Sequence, residues 1–184
     1  MKRSRKIVVL SHCLLNGNSK IRGGAIYGTI LEPVLEFIVA QKAGIIQLPC
    51  PEHTFSGEAR WGQSKAQYDS PFFRNHCQNI LRLVVDGLLD YQNNNYRLLG
   101  VLGISGSPSC GVFETFQADW GGEINDCLTS PTIKSGRMVE EPGVFIEVFQ
   151  AMLAEKGLSL FFTDVKEGDM PGTMEVLKKM FQQE

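Results

Sequence analysis

The chain has 184 residues, a formal net charge of −2 and 43% hydrophobic residues, which is the ordinary composition of a soluble globular protein. The nearly neutral charge argues against a nucleic-acid-binding or membrane-surface protein. The basic residues Lys2, Arg3, Arg5 and Lys6 precede only the apolar stretch "IVVL", which is too short for an export signal. We therefore expect a cytoplasmic protein with a single α/β domain over residues 1–184.

Short, nearly continuous apolar runs alternate along the chain with helical patterns. The predicted strands cover residues 6–11, 45–49, 98–104 and 160–165, and the predicted helices cover residues 27–44, 70–91, 142–157 and 172–183. Apolar runs of this kind are typical of strands that are covered on both faces. The alternation predicts an open parallel sheet of about four or five strands with helices on both faces, as in Rossmann-like and flavodoxin-like folds.

Individual residues indicate where two of the predicted helices start, and one long segment has the pattern of a loop. Ser70 followed by Pro71 is a typical helix start, because serine caps the first turn and proline fits the first helical position. Pro33 weakens the start of the helix predicted over residues 27–44. Residues 112–141 have no clear periodicity, and a loop of this length in a compact domain is usually functional or partly mobile.

Three of the five cysteines follow predicted strands. Cys13, Cys50 and Cys110 come directly after a strand or in the turn beyond it. An odd number of cysteines in a chain with a sizeable apolar core argues against a disulfide framework and favours metal binding or thiol chemistry. Because the carboxyl ends of parallel strands meet at one edge of the sheet, we expect these three thiols to converge in a crevice there.

The remaining cysteines and the nearby histidines have simpler interpretations. Cys77 occupies an apolar position of the second predicted helix, where a free cysteine packs as a small hydrophobic residue. Cys127 lies in the long loop, and we interpret it as a peripheral thiol rather than a fourth metal ligand. His12 and His53 lie beside the first two cysteines, and we interpret both as turn residues.

The residues alone leave several kinds of site open. Thiolates select zinc, copper(I) or iron-sulfur clusters, and zinc sites and cubane clusters normally take four protein ligands, so three thiols would leave one position open to a substrate. A cofactor-free thiol enzyme would use Cys110, or Cys13 beside His12, as nucleophile. Phosphate binding by "GISGSPSCG" is a weak alternative, because that turn matches neither the P-loop nor the dinucleotide pattern.

Three short blocks carry a resemblance to a known family. "HCLLNGN" at 12–18, "PCPE" at 49–52 and "GSPSCG" at 106–111 resemble the thiouracil desulfidase family, formerly a domain of unknown function. Members of that family hold a 4Fe-4S cluster by three cysteines. The segments "KIRGGAIYG" and "HTFSGEARWG" depart from the family pattern, which leaves the exact thiolated substrate open.

This resemblance implies a site and a reaction. Cys13, Cys50 and Cys110 would hold the 4Fe-4S cluster. Glu52 would handle protons on the substrate or on water, and Ser107 would help to position the substrate. In the family, the iron without a protein ligand takes the sulfur of a thiolated nucleobase, water replaces it on the ring carbon, and sulfide leaves without net redox change.

The expected partner is thus a small thiolated molecule, and neither a nucleic acid polymer nor a membrane. A non-catalytic protein that binds zinc or an iron-sulfur cluster is the alternative, alongside the thiol enzyme that uses Cys110. The oligomeric state is not predicted by any feature of the sequence.

Overall fold

The computed structural model describes residues 2–119, 121–123 and 136–182. Its strands are β1 (Lys6–Leu10), β2 (Gly44–Gln47), β3 (Arg97–Ile104), β4 (Thr115–Gln117), β5 (Arg137–Val139) and β6 (Phe162–Val165). Its helices are α1 (His12–Leu15), α2 (Glu32–Ala40), α3 (Pro51–Ser56), α4 (Lys65–Tyr68), α5 (Pro71–Asn93), α6 (Val144–Glu155) and α7 (Met170–Gln182). Within the described ranges, no helix combines the length and apolar character needed to cross a bilayer.

Four strands form a parallel sheet in the order β2–β1–β3–β6, and β4 pairs with β5 in an antiparallel ribbon. In the middle of the parallel sheet, Val9 of β1 pairs with Ile46 of β2 on one side and with Val101 of β3 on the other. Helices flank the sheet, and the predicted open parallel fold of the Rossmann and flavodoxin type is confirmed.

The central strands bury side chains on both faces, as the continuous apolar runs predict. Val9 and Val101 point to one face, where they pack with buried residues of α5 and α6. Leu10 and Leu102 point to the opposite face, where they pack with buried residues of α2 and α7. Cys77 of α5 is fully buried in the first of these clusters, so its predicted role in core packing is confirmed.

A proline and a capping serine set the starts of two helices. The helix predicted over residues 27–44 is confined to α2 because Pro33 lies in its first turn, where its missing N–H leaves no hydrogen bond unmade. The start of α5 agrees with the prediction, since the Ser70 side chain accepts a hydrogen bond from the Phe73 N–H at 3.2 Å. The second strand is displaced from its predicted span of residues 45–49, because the chain leaves the sheet after Gln47 and turns into α3.

Several short helices and strands of the structure are not predicted from the sequence. Helices α1, α3 and α4 contain four to six residues each, which is too few to display a helical period in the sequence. The loop predicted over residues 112–141 contributes β4 and β5 within its described portion. These small elements all follow the carboxyl ends of sheet strands or the loops beyond them, so they surround one edge of the sheet.

The turn after β3 folds back tightly onto its own strand. The Ile104 N–H donates to the Cys110 carbonyl at 2.9 Å, and a Cβ at Gly103 would lie 2.4 Å from that same carbonyl oxygen. The buried Asp164 of β6 accepts hydrogen bonds from the Val112 N–H at 2.8 Å and the Phe113 N–H at 2.9 Å. The position of Cys110 is therefore fixed from both sides by main-chain contacts.

We predict that Asp164→Ala destabilises the chain by about 2–4 kcal/mol, because one buried and one partly buried main-chain N–H group lose their acceptor. Urea unfolding followed by circular dichroism measures the change. Asp86→Ala is the matched control, since Asp86 is exposed on α5, and its effect should stay within about 0.5 kcal/mol. Equal effects of the two substitutions would contradict the anchoring role of Asp164.

Candidate functional site

A cavity of about 290 Å³ lies at the carboxyl edge of the parallel sheet. Cys13, Cys50 and Cys110 all line it, and they follow β1, β2 and β3 respectively. The predicted convergence of the three thiols is therefore confirmed, whereas their role as ligands stays a prediction. The cavity lies where open α/β sheets usually bind ligands, outside the carboxyl ends of the strands.

Short helices position the first two cysteines. Cys13 lies in α1, and its carbonyl accepts a hydrogen bond from Tyr27 Oη at 2.8 Å. Cys50 is the N-cap of α3, and its Sγ accepts a hydrogen bond from the His53 N–H at 3.4 Å. A sulfur at a helix N-terminus that accepts an amide hydrogen bond is suited to carry negative charge.

The third cysteine is held by the two serines of its own turn. The Cys110 N–H donates to Ser107 Oγ at 3.0 Å, while Ser109 Oγ lies 3.4 Å from Cys110 Sγ. Both hydroxyls therefore contact Cys110 within their own turn, which is usual for serine beside proline. Ser107 also lines the cavity, and its role in positioning a substrate stays a prediction.

Burial governs the protonation of all three thiols. Burial raises the pKa of Cys13 to about 12, and the nearby charge of Lys20 offsets only part of this effect. Burial also raises the pKa of Cys50 and raises the pKa of Cys110 well above its ordinary value, with further increases at Cys110 from Cys50 and Cys13. Without a positive centre between them, the three cysteines are neutral thiols at physiological pH.

The chemistry of the donor set fits an iron-sulfur cluster. In the parts of the chain that the structure describes, no group of three or more histidine, cysteine, aspartate or glutamate side chains is arranged to hold one ion. A cluster distributes its cysteine ligands over separate iron atoms, so the thiols need not close around one point. Three cysteines around a shared cavity fit this requirement, and thiolates are the usual ligands of such clusters.

The histidines beside the first two cysteines do not enter the cavity wall. His12 Nδ1 donates to the Leu48 carbonyl at 3.1 Å, and its Nε2 accepts from Asn16 Nδ2 at 3.4 Å. The His53 side chain is exposed. Their interpretation as turn residues is wrong, since His12 begins α1 and His53 lies in α3. Cys127, interpreted as a peripheral thiol, lies outside the described residues.

A fixed carboxylate completes the wall of the cavity. Glu52 lies in the first turn of α3, and its Oε1 accepts a hydrogen bond from Ser109 Oγ at 2.6 Å. Its Oε2 accepts from Arg60 Nε at 3.4 Å, and the Arg60 side chain is only 2% exposed. Arg60 in turn donates to the Ser19 carbonyl at 2.6 Å. The carboxylate therefore has a defined orientation beside the cysteines.

Comparison with known proteins identifies a relative. No protein-family model matches the chain. Over 112 residues, the chain is 33% identical to the uncharacterized protein MJ0003 of Methanocaldococcus jannaschii, and the match spans 61% of this chain and 71% of that protein. The chain belongs to the MJ0003 family. Among solved structures, the 4Fe-4S-dependent thiouracil desulfidase TudS aligns with a TM-score of 0.46 and 17% identity over 95% of this chain and 99% of that one.

In this member of the MJ0003 family, the residues that hold Glu52 are not predicted from the sequence. Ser109 is 57 residues away from Glu52 along the chain, and no spacing rule links a serine to a distant carboxylate. Lys20 also lines the cavity, where it pairs with Glu167. Contacts of this kind depend on the tertiary fold, and the sequence contains no local signal that could have found them.

We predict that Cys13 makes the metal-free chain less stable above about pH 9. The folded thiol stays protonated up to its pKa of about 12, whereas the unfolded thiol ionises near the ordinary value of 9.0. Its contribution to stability is therefore complete below pH 9.0 and is lost as the pH rises toward 12. Urea unfolding at about pH 8 and about pH 10.5 should reveal a loss of roughly 2 kcal/mol that Cys13→Ala lacks.

A pH dependence of unfolding that is identical in the wild type and in Cys13→Ala would contradict this assignment. Comparing the two chains removes the contributions of the lysines and tyrosines that titrate in the same range, because both chains share them.

Proposed function

We propose that this protein binds a 4Fe-4S cluster through Cys13, Cys50 and Cys110 and removes sulfur from a thiolated nucleobase or a similar small thio-compound. The observation that carries the proposal is the meeting of three thiols, one buried and two half-buried, and one fixed carboxylate in a single cavity. The sequence blocks that resemble the thiouracil desulfidases contain all four of these residues. In the net reaction, a C=S group and water give a C=O group and hydrogen sulfide, so no oxidant or reductant is consumed.

A cluster held by Cys13, Cys50 and Cys110 would supply a Lewis acid toward the sulfur of the substrate. The protein contributes the three sulfur ligands, which must lose their protons when the cluster binds. The His53 N–H donates to Cys50 Sγ, and Lys20 lowers the pKa of Cys13, so both favour the thiolate forms.

Glu52 is the proposed general base. Its carboxylate lines the same cavity as the cysteines, where it accepts a proton from the attacking water and passes it to the sulfur. The second proton of the water follows the same route when the C=O group forms, so that sulfur leaves as hydrogen sulfide. Ser109 and Arg60 restrict rotation of the carboxylate, which reduces the entropy lost on reaching the reactive geometry. Ser107 lines the cavity one turn before Cys110 and is proposed to position the substrate.

The electrostatics disfavour a cofactor-free thiol enzyme. A cysteine nucleophile needs a lowered pKa, whereas burial raises the pKa of Cys110 well above its ordinary value. His12, the histidine next to Cys13 in sequence, is engaged with the Leu48 carbonyl and with Asn16. His12 is therefore not free to serve Cys13 as the adjacent base that such a mechanism requires.

We predict that the chain, purified without oxygen, carries about four iron and four acid-labile sulfide per chain. Iron and sulfide assays should give a loss of most of both in Cys13→Ala, Cys50→Ala and Cys110→Ala. Cys77→Ala is the matched control and should keep both, because Cys77 is buried in the core. Abundant zinc without iron, or equal iron content in all four variants, would refute the ligand assignment.

We further predict that Glu52→Gln lowers the kcat for sulfide release from thiolated pyrimidines by about a hundredfold or more, which is typical for loss of a general base. The iron content of this variant should match the wild type, so that the loss reports on proton transfer. Glu155→Gln is the matched control, since Glu155 is exposed near the end of α6. Wild-type kcat in Glu52→Gln would exclude Glu52 as the base.

A further inference from the structure

Tyr68, the last residue of α4, carries a buried hydroxyl for which the described residues provide no hydrogen-bond partner. The residue is 1% exposed, and its ring packs against Phe73 with centroids 4.5 Å apart. In the described part of the chain, Ser11 Oγ is the other buried side-chain oxygen in this condition. Because buried polar groups in native proteins nearly always have a partner, the Tyr68 hydroxyl calls for an explanation.

The packing around Tyr68 places it beside the helix that carries Glu52. Phe73, which packs against Tyr68, also packs edge-to-face against Phe55 with ring centroids 5.3 Å apart, and Phe55 lies one turn after Glu52 in α3. Burial raises the pKa of Tyr68, and the negative charge of Glu52 raises it further, while Arg60 lowers it. Cys50 raises the same pKa by a smaller amount. The phenol group therefore keeps its proton and lies near the carboxylate as a potential donor.

The carboxylate of Glu52 has the capacity to accept this hydrogen bond. An ionised carboxylate has about four acceptor positions. In the structure, Ser109 Oγ and Arg60 Nε occupy two of them. The remaining positions are sufficient for a third protein donor and for one ligand in the cavity.

We propose that Tyr68 is a positioning residue for Glu52: its hydroxyl donates a hydrogen bond to the carboxylate, either directly or across one bound water. Ser109, Arg60 and Tyr68 then hold the carboxylate from three separate segments of the chain. The consequence for catalysis rests on the proposed desulfurisation, whereas the hydrogen bond itself does not.

A double-mutant cycle on the full chain tests the hydrogen bond without reference to activity. Tyr68→Phe keeps the ring and removes only the hydroxyl, and its effect is measured by urea unfolding in the wild-type and Glu52→Gln backgrounds. We expect Tyr68→Phe to raise the unfolding equilibrium constant about tenfold or more in the wild type, because a bond to a charged acceptor is lost. In the Glu52→Gln background, the increase should be less than about threefold, since the acceptor is neutral.

The direction in which Tyr68→Phe changes the unfolding equilibrium constant shows whether the Tyr68 hydroxyl has a hydrogen-bond partner. Removing a buried donor that has no partner lowers the unfolding equilibrium constant, and that result would overturn the proposal. Equal effects of Tyr68→Phe in both backgrounds would also overturn it. Tyr91→Phe is the matched control, because Tyr91 packs against Tyr96 at the end of α5 with centroids 4.9 Å apart, and its effects should be additive with Glu52→Gln.

Steady-state kinetics of sulfide release tests the role of Tyr68 as a positioning residue. Tyr68→Phe should lower kcat about tenfold with KM within about twofold of the wild type, because only the orientation of the base changes. Tyr91→Phe should leave both constants unchanged. The same result for Tyr68→Phe would overturn the proposal that Tyr68 positions Glu52 for catalysis. If the wild type releases no sulfide from thiolated pyrimidines, the proposed function fails, and the unfolding cycle still decides whether Tyr68 bonds to Glu52.

Discussion

Burial of Cys13, Cys50 and Cys110 around one cavity is favourable only while their thiols are neutral or while a positive centre lies between them. The parallel sheet creates this constraint, since it brings the ends of β1, β2 and β3 to one edge. The short helices and turns that follow these strands line the cavity at that edge. The raised pKa of each thiol follows from this burial. The same packing therefore disfavours a thiolate at any of the three positions unless a positive charge compensates it.

The rigidity of the site has its origin in contacts that also stabilise the fold. Asp164 of β6 binds two main-chain N–H groups of the turn that carries Cys110. Ser109 in that turn binds Glu52 of α3, and so links the third strand end to the second. Because the turn is held by its neighbours on both sides, little conformational entropy remains to be lost when a cofactor or substrate binds.

The sequence predicts the parts of this protein that depend on local pattern. Apolar runs reveal the strands of the parallel sheet, and the order of strands and helices places three cysteines at one edge. The surroundings of Glu52 depend instead on residues that are distant along the chain, such as Ser109, 57 residues away. The resemblance to the thiouracil desulfidases implies a role for Ser107 in positioning the substrate, whereas the contact of the Ser109 hydroxyl with the carboxylate is visible only in the tertiary structure.

The charges on the cavity wall bear on the kind of molecule that the site accepts. Among the described lining residues, Lys20, Glu52 and Arg60 carry charge. Lys20 pairs with Glu167, and Arg60 pairs with Glu52, so the wall offers no unpaired cation to a phosphate group. An anionic ligand would have to break one of these partly buried pairs, which leaves a charge without its partner and is costly. An uncharged thio-compound requires no such rearrangement, and the wall therefore suits the class of substrate proposed above better than a nucleotide.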